Sequence, residues 1–206
     1  MDYLENAKKH FATITTHRHE VMKNCFRAGI GFQGLFHDLS KYGPTEFIQG
    51  VLYYQGDRSP NEAAREDYGY SKAWLHHKGR NKHHYEYWND YDAKTGKLVG
   101  VKMPVNYFVE MVCDRVAASK IYLGADYTDA APLMYFHKGG PQAPLARLMH
   151  PDTAKELDKV LLLLANKGEK KMFRYLRRMM RRYRRARMRH VIRRINDFID
   201  SKELTV

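Results

Sequence analysis

Residues 104–124 read "PVNYFVEMVCDRVAASKIYLG". Apolar side chains recur three and four apart, from Phe108 through Met111, Val112 and Val116, which is the period of a helix. Pro104 suits the first turn and Gly124 the end. At the centre stands Asp114, among Met111, Val112, Cys113, Val116 and Ala117. A carboxylate in that company is expected to be buried, and then it needs a cation or several donors.

The same period governs the chain on either side. Tyr3 to Ala28 reads as a helix that Gly29 and Gly31 end. "GFQGLFHDLSKYG" (31–43) reads as a second, shorter helical piece. Pro44 and Thr45 start another through Tyr54, with Thr45 as its N-cap. "GDRSPNEAARED" (56–67) gives a turn, a Ser59 cap and Pro60 at the first helical position. "YSKAWLHHKG" (70–79) is a short helix closed by Gly79. "NDYDAKTGKLVG" (89–100) is a loop or small hairpin, and "HKGGPQAP" (137–144) a loop. Pro151 begins a helix to about Lys167, and Glu169 opens a basic one. Sustained period-2 alternation is nearly absent, so the expected class is all-α: a helical bundle over 1–150 with a helical extension over 151–206.

Of the 206 residues, 44% are apolar and 29% charged. The longest apolar run, "VLLLLA" (160–165), is far short of the roughly 20 residues that cross a bilayer. The start, "MDYLENAKKHF", carries no apolar signal region, so the expected compartment is the cytoplasm. Cys25 and Cys113 sit in apolar helical contexts and are expected to be buried free thiols. The net charge of +13 is concentrated. Between Lys167 and Arg194 stand 14 basic residues and one acid, Glu169, and the remainder is neutral.

Four places set ligand-type side chains in helical, apolar surroundings. They are His17 and His19 in "TTHRHEV", His37 with Asp38 in "LFHDLSKY" (35–42), the four histidines of "AWLHHKGRNKHHYEYW" (73–88), and Asp114. Burying an imidazole beside a carboxylate without partners costs several kcal/mol, and a metal ion is one way to satisfy both. Lys41 is expected one turn on from His37, on the same helical face.

This order, a helical histidine, then "LFHDLSK", then an aspartate followed by arginine, resembles the HD superfamily of metal-dependent phosphohydrolases over about residues 17–120. The strings "GLFHDLSKYGPTEF" and "AWLHHKGRNKHHYEYW" are also similar to an uncharacterised bacterial and phage family of about this length. The HD resemblance implies a metal-binding helical bundle and assigns His17, His37, Asp38 and Asp114 as ligands of a divalent ion: Mn, Fe, Zn, Ni or Mg. His17 is favoured over His19 because an apolar residue, Val21, follows four positions on. Asp38 and Lys41 would be catalytic, Asp38 orienting a water and Lys41 neutralising a phosphate oxygen. One departure is that Lys41 stands where some HD nucleotidases place a glutamate; the first glutamate is Glu46.

Unless its role is purely structural, the histidine-rich stretch has two readings. Some HD enzymes hold a second metal with extra histidines, and His77 and His84, or alternatively His76 and His83, are placed to do so. Otherwise the stretch forms an anion pocket, with Lys78, Arg80, Lys82 and Arg115 facing a substrate phosphate. Trp74, Tyr85, Tyr87 and Trp88 are core, or else stack on a base. The expected function is hydrolysis of a nucleotide or other small phosphate ester. The alternatives are a nucleic-acid-binding protein with a structural or vestigial metal site and, third, an HD-type iron oxygenase.

The last helix places Met172, Leu176, Met179, Met180 and Tyr183 on one stripe, extended with drift by Val191, Ile195 and Phe198, and expected to dock on the body. Its other face, with Arg174, Arg177, Arg178, Arg181, Arg182 and Arg185, is all positive. Such a face implies a polyanion. Arginine's dominance favours phosphate forks, so nucleic acid is the expected partner and an anionic membrane the alternative.

Overall fold

The computed structural model describes residues 2–56, 58–138 and 148–203, with side chains to residue 197. Helix α1 (Tyr3–Ala28) is capped by the Asp2 carboxylate, which accepts from the Leu4 and Glu5 amides at 3.1 Å. Gly29 ends it in the left-handed region at φ 87°, which glycine adopts without penalty. Then come α2 (Gly31–Leu35), a 3₁₀ turn (Leu39–Tyr42), α3 (Pro44–Leu52), α4 (Pro60–Tyr68) and α5 (Lys72–Lys78). A 3₁₀ turn (Tyr85–Tyr87) leads to an antiparallel hairpin of β1 (Asn89–Tyr91) and β2 (Leu98–Gly100), in which Asp90 pairs Val99. Helix α6 (Val105–Leu123) and α7 (Ala131–His137) follow. Pro151–Glu203 is helical but broken at Gly168, whose φ 76° and ψ 167° are not, giving α8 (151–167) and α9 (169–203).

The molecule is an all-α helical bundle with one small hairpin. Its core is the stripe of α1 (Val21, Cys25, Ala28), nearly the whole middle of α6 (Phe108 to Ala117), and the inner faces of α8 (Leu157, Val160, Leu161, Leu164) and α9 (Met172, Phe173, Leu176, Met180). Each fully buried Leu or Val contributes about 1.5–3 kcal/mol of transfer free energy. The start of α9 is also clamped by charge. Glu169 meets Arg27 at 2.6 Å and Lys120 at 2.5 Å, and Lys120 reaches Glu20 at 3.0 Å. The segment after Pro151 therefore shares the main core, and leaves it only after Tyr183. Among the described residues no helix is long and apolar enough to cross a membrane. Both cysteines are free and buried.

Several local expectations need correction. Thr45 does not cap α3: Gly43 holds the N-cap position, without a side-chain bond, and Pro44 is the first helical residue. Residues 31–43 are not one helical piece. The chain turns at Phe36–Asp38, and Asp38 lies at φ 53°, ψ 27°, the one positive φ outside glycine among the described residues. The turn has a physical reason. Adjacent helical side chains diverge by roughly 100°, whereas the turn points His37 and Asp38 at the same spot. Arg18 holds it, donating Nε to the His37 carbonyl at 3.2 Å and a second N–H to that of Leu35. The stretch expected as a loop at 137–144 falls largely on 139–147, outside the described residues.

Candidate metal centre

Helix α1 brings His17, the turn brings His37 and Asp38, and α6 brings Asp114, so that one ligand atom from each lies within 4.8 Å of the others. His17 Nε2 is 2.9 Å from Asp114 Oδ1 and 4.0 Å from Asp38 Oδ2. His37 Nε2 is 3.2 Å from Asp38 Oδ2 and 3.6 Å from Asp114 Oδ1. A second group meets the same tolerance: Asp38 with His77 at the end of α5, and His83 and His84 from the turn after it. His77 Nε2 and His83 Nε2 approach Asp38 Oδ1 at 3.3 and 3.4 Å. The two groups thus share Asp38, one oxygen facing each.

Whether a cation fits is decided by the unpaired atoms. The Nε2 atoms of His37, His77, His83 and His84, and Oδ1 of Asp38, are buried with no hydrogen-bond partner, while His17 Nε2 faces the Asp114 carboxylate and Asp38 Oδ2 the Lys41 ammonium. Leaving one such atom unsatisfied costs about 1–3 kcal/mol, so a set converging on one place is a strained arrangement unless cations fill it. The outer nitrogens, by contrast, are held. His37 Nδ1 donates to Glu110 Oε1 at 2.9 Å, and His83 Nδ1 stands 3.5 Å from the same oxygen. His77 Nδ1 donates to Glu46 Oε2 at 2.7 Å. Such outer carboxylates fix the tautomer so that Nε2 carries the lone pair toward a metal. Glu110 is fixed in turn by Gln33 Nε2, whose Oε1 accepts from Asn106 at 3.1 Å.

The electrostatics agree. Burial pushes His17, His83 (to about 4) and His84 down, with Lys41 adding to the shift at His17, His37 at His83, and the neighbouring histidines at His84. These three are therefore neutral, ligand-ready imidazoles at pH 7. His37 goes the other way. Burial opposes its charge, but Asp38, Asp114 and Glu110 outweigh that and raise it well above the ordinary range. Burial also opposes the Asp38 charge, yet His37, Lys41, His77 and His83 hold the carboxyl well below the usual carboxylate range. Asp114 is held there likewise by His17 and His37. The pocket is short of positive charge. Two imidazoles with two carboxylates, and three imidazoles with one, are borderline nitrogen–oxygen donor sets of the kind that hold Zn, Mn, Fe or Ni. These buried clusters can hold metal ions.

One side is open. His37 and His83 are 2% exposed, whereas the Asp114 side chain is 17% and Lys41's 29% exposed. The mouth therefore lies by Asp114 and Lys41. Lys41 Nζ sits 2.6 Å from Asp38 Oδ2, and Asp38 and Asp114 raise its pKa against the effect of burial. It reaches the site through the 3₁₀ turn, three residues from Asp38, not along a helical face shared with His37.

Other expected residues lie apart from the clusters. His76 turns to Glu46 Oε1 at 2.7 Å and is no ligand, and His83 joins His77 and His84. No hydrogen bond or ion pair among the described residues joins Lys78, Arg80, Lys82 or Arg115 to the clusters; Lys82 lies over the rings of Tyr87 and Tyr107. Tyr85 is buried and Trp88 packs against the core. Trp74 alone of the four aromatics borders the site, stacked on His77 at 5.8 Å and edge-on to His84 at 4.9 Å. On α9, Arg177 donates to the carbonyls of Arg27 and Phe26, and its neighbour Arg184 to that of Gly29. Arg174, Arg178, Arg181, Arg182 and Arg185 are exposed. Val191 and Ile195, expected to dock, are 43% and 52% exposed, and Phe198 lies beyond the described side chains. Glu110 and Glu46 were missed. Glu110's signal is readable: it precedes Asp114 by four residues, on the same helical face of an apolar run.

Residues 6–163 match the model of a family of unknown function, DUF5662, and the chain belongs to that family. No curated protein and no solved structure matches the chain.

Proposed function

We propose that this DUF5662 chain is a metal-dependent phosphohydrolase of HD type, acting on a nucleotide or another small phosphate ester. The observation that carries the reading is the shared Asp38, one oxygen facing His17, His37 and Asp114, the other His77, His83 and His84. The donor chemistry favours Mn, Fe, Zn or Ni over Mg, which prefers oxygen. When bound, such ions supply Lewis acidity at a phosphoryl oxygen and an acidified water as nucleophile.

The chain's own residues do the rest. Glu110 and Glu46 orient the imidazoles. The nearly closed walls exclude bulk water, which strengthens every charge inside. Lys41, ionised across the neutral range and partly exposed at the mouth, is placed to receive a phosphate oxygen. With a cation held by Asp38, the Lys41 ammonium that now bonds Oδ2 would be available for that contact.

The test is metal content of the purified chain together with phosphate release from mononucleotides and from nitrophenyl mono- and diesters. Asp38→Ala should lose both ions, whereas Asp114→Ala and His84→Ala each retain about one. His37→Ala should lose the first ion and some thermal stability, since metal binding is linked to folding. His19→Ala, at an exposed position, keeps both. Full metal occupancy in Asp38→Ala and His37→Ala would sink the site assignment. A fully loaded protein that turns over none of the esters would sink the phosphohydrolase.

A further inference from the structure

The docked face of α9 ends at Tyr183. From Arg184 to Asp197 every residue is exposed, about four turns or roughly 21 Å at 1.5 Å per residue; Arg184 bonds to the Gly29 carbonyl and Arg187 borders the cleft beside Ile30 and Phe32, and the helix projects from the body beyond them. Two patterns meet on this stretch. Met188, Val191, Ile192 and Ile195 are 61, 43, 50 and 52% exposed and, at helical spacing, fall within one sector of roughly 100°. Arg185, Arg187, Arg189, Arg193 and Arg194 cover most of the remaining circumference, and among the described residues none meets an acid.

We propose that residues 184–197 are a surface anchor that lies on an anionic lipid bilayer. The proposal is independent of the metal centre. Three occupants are available, and the two patterns discriminate among them. A nucleic acid would neutralise the arginines but leave the four apolar side chains in water. A second copy of the helix would cover the apolar sector but bring two sets of flanking arginines together, where like charges repel. An anionic bilayer answers both: the apolar sector enters the headgroup–acyl boundary, and the arginines fork onto lipid phosphates. Clusters of four to eight basic residues on an amphipathic helix are what anionic leaflets attract. Arg177 and Arg184, tied to the carbonyls that end α1, fix the direction in which the free stretch leaves the body.

The full chain should co-sediment with vesicles of phosphatidylcholine plus phosphatidylserine and not with phosphatidylcholine alone, and salt should weaken the binding. Met188→Gln, Ile192→Gln and Ile195→Gln combined keep every charge. They should lower partitioning on the order of 10²-fold, from roughly fivefold for each partly buried side chain withdrawn. Arg185→Gln, Arg189→Gln and Arg193→Gln combined should cost about as much, at roughly fivefold per arginine. Because these positions are exposed, circular dichroism and metal content should match the parent in both. Equal sedimentation with neutral vesicles, undiminished binding by the charge-preserving triple variant, or no vesicle binding by the intact chain would overturn the proposal. So would binding to RNA or DNA alone, or self-association that the apolar variant abolishes without lipid.

Discussion

Glu110→Gln isolates what an outer carboxylate does for a buried metal site. Glu110 Oε1 receives His37 Nδ1 at 2.9 Å and lies 3.5 Å from His83 Nδ1, so one side chain supports a ligand of each cluster. Glutamine keeps the shape and can keep an oxygen toward His37, provided the Gln33 and Asn106 amides both flip to preserve their bonds. What goes is the charge that makes both imidazoles better donors. Losses at such positions run from about 10- to 100-fold in metal affinity. The retained hydrogen bond puts this variant near 10-fold, about 1.4 kcal/mol, at each centre. Glu110→Ala removes the bond too and should approach 100-fold. It also orphans the His37 Nδ1–H and the Gln33 amide at about 1–3 kcal/mol each, so thermal stability falls as well. Glu46→Gln is the control, since Glu46 meets His77 of the second cluster and no ligand of the first, and should weaken the second centre alone. Competition against a chromophoric chelator resolves the two constants. If Glu110→Gln leaves both within twofold of the parent, or weakens only one, the shared-support argument is wrong.

Two further outcomes test the charges around the site and the tail. Lys41→Ala should keep its metal but lose roughly 10²-fold or more in turnover on the best phosphate ester, because its ammonium stabilises charge only at the mouth; unchanged turnover would reduce it to a structural partner of Asp38. Glu169 is opposed by burial but held below the ordinary carboxylate range by Lys120 and Arg27. A depressed acid contributes stability that is present above its ordinary value and lost as pH falls through its folded value. The stability difference between parent and Glu169→Gln should therefore be full at neutral pH and shrink below about pH 4.5. A difference independent of pH would show that the ion pairs add nothing.

How legible was this in the sequence? Element boundaries came through where punctuation was local and strong. Gly29, Ser59, Pro60, Gly124 and Gly168 act through their own backbone or first-turn bonds, so their effect does not depend on the rest of the chain. Thr45 failed because Gly43 and Pro44 already start the turn, leaving the hydroxyl one residue too far in. The drift of the apolar stripe along α9 was visible, but its consequence was not. Whether Val191 meets the body depends on where the body ends, and that is fixed by Tyr183 and by Arg184 closing on Gly29.

The candidate metal ligands were legible as types, and their grouping was not. "LFHDLSKY" has the period of a helix, and a helix would have set His37 and Asp38 facing apart. The fold spends strain at Asp38, on the order of 1–3 kcal/mol for a residue in a sparsely populated backbone region, to turn that carboxylate so that its oxygens face two groups of imidazoles. Such an outlier persists only when its surroundings over-determine it. Here Arg18 fixes the carbonyls of Leu35 and His37, Lys41 bonds Asp38 through both backbone and side chain, and α1 and α6 wall the other side. Helical propensity was overridden at one residue, and that residue is the one both clusters share. A stability requirement alone gives no reason to strain the backbone there and then bury a carboxylate whose Oδ1 has no hydrogen bond and faces the unpaired nitrogens of His77 and His83. A requirement to bind cations does.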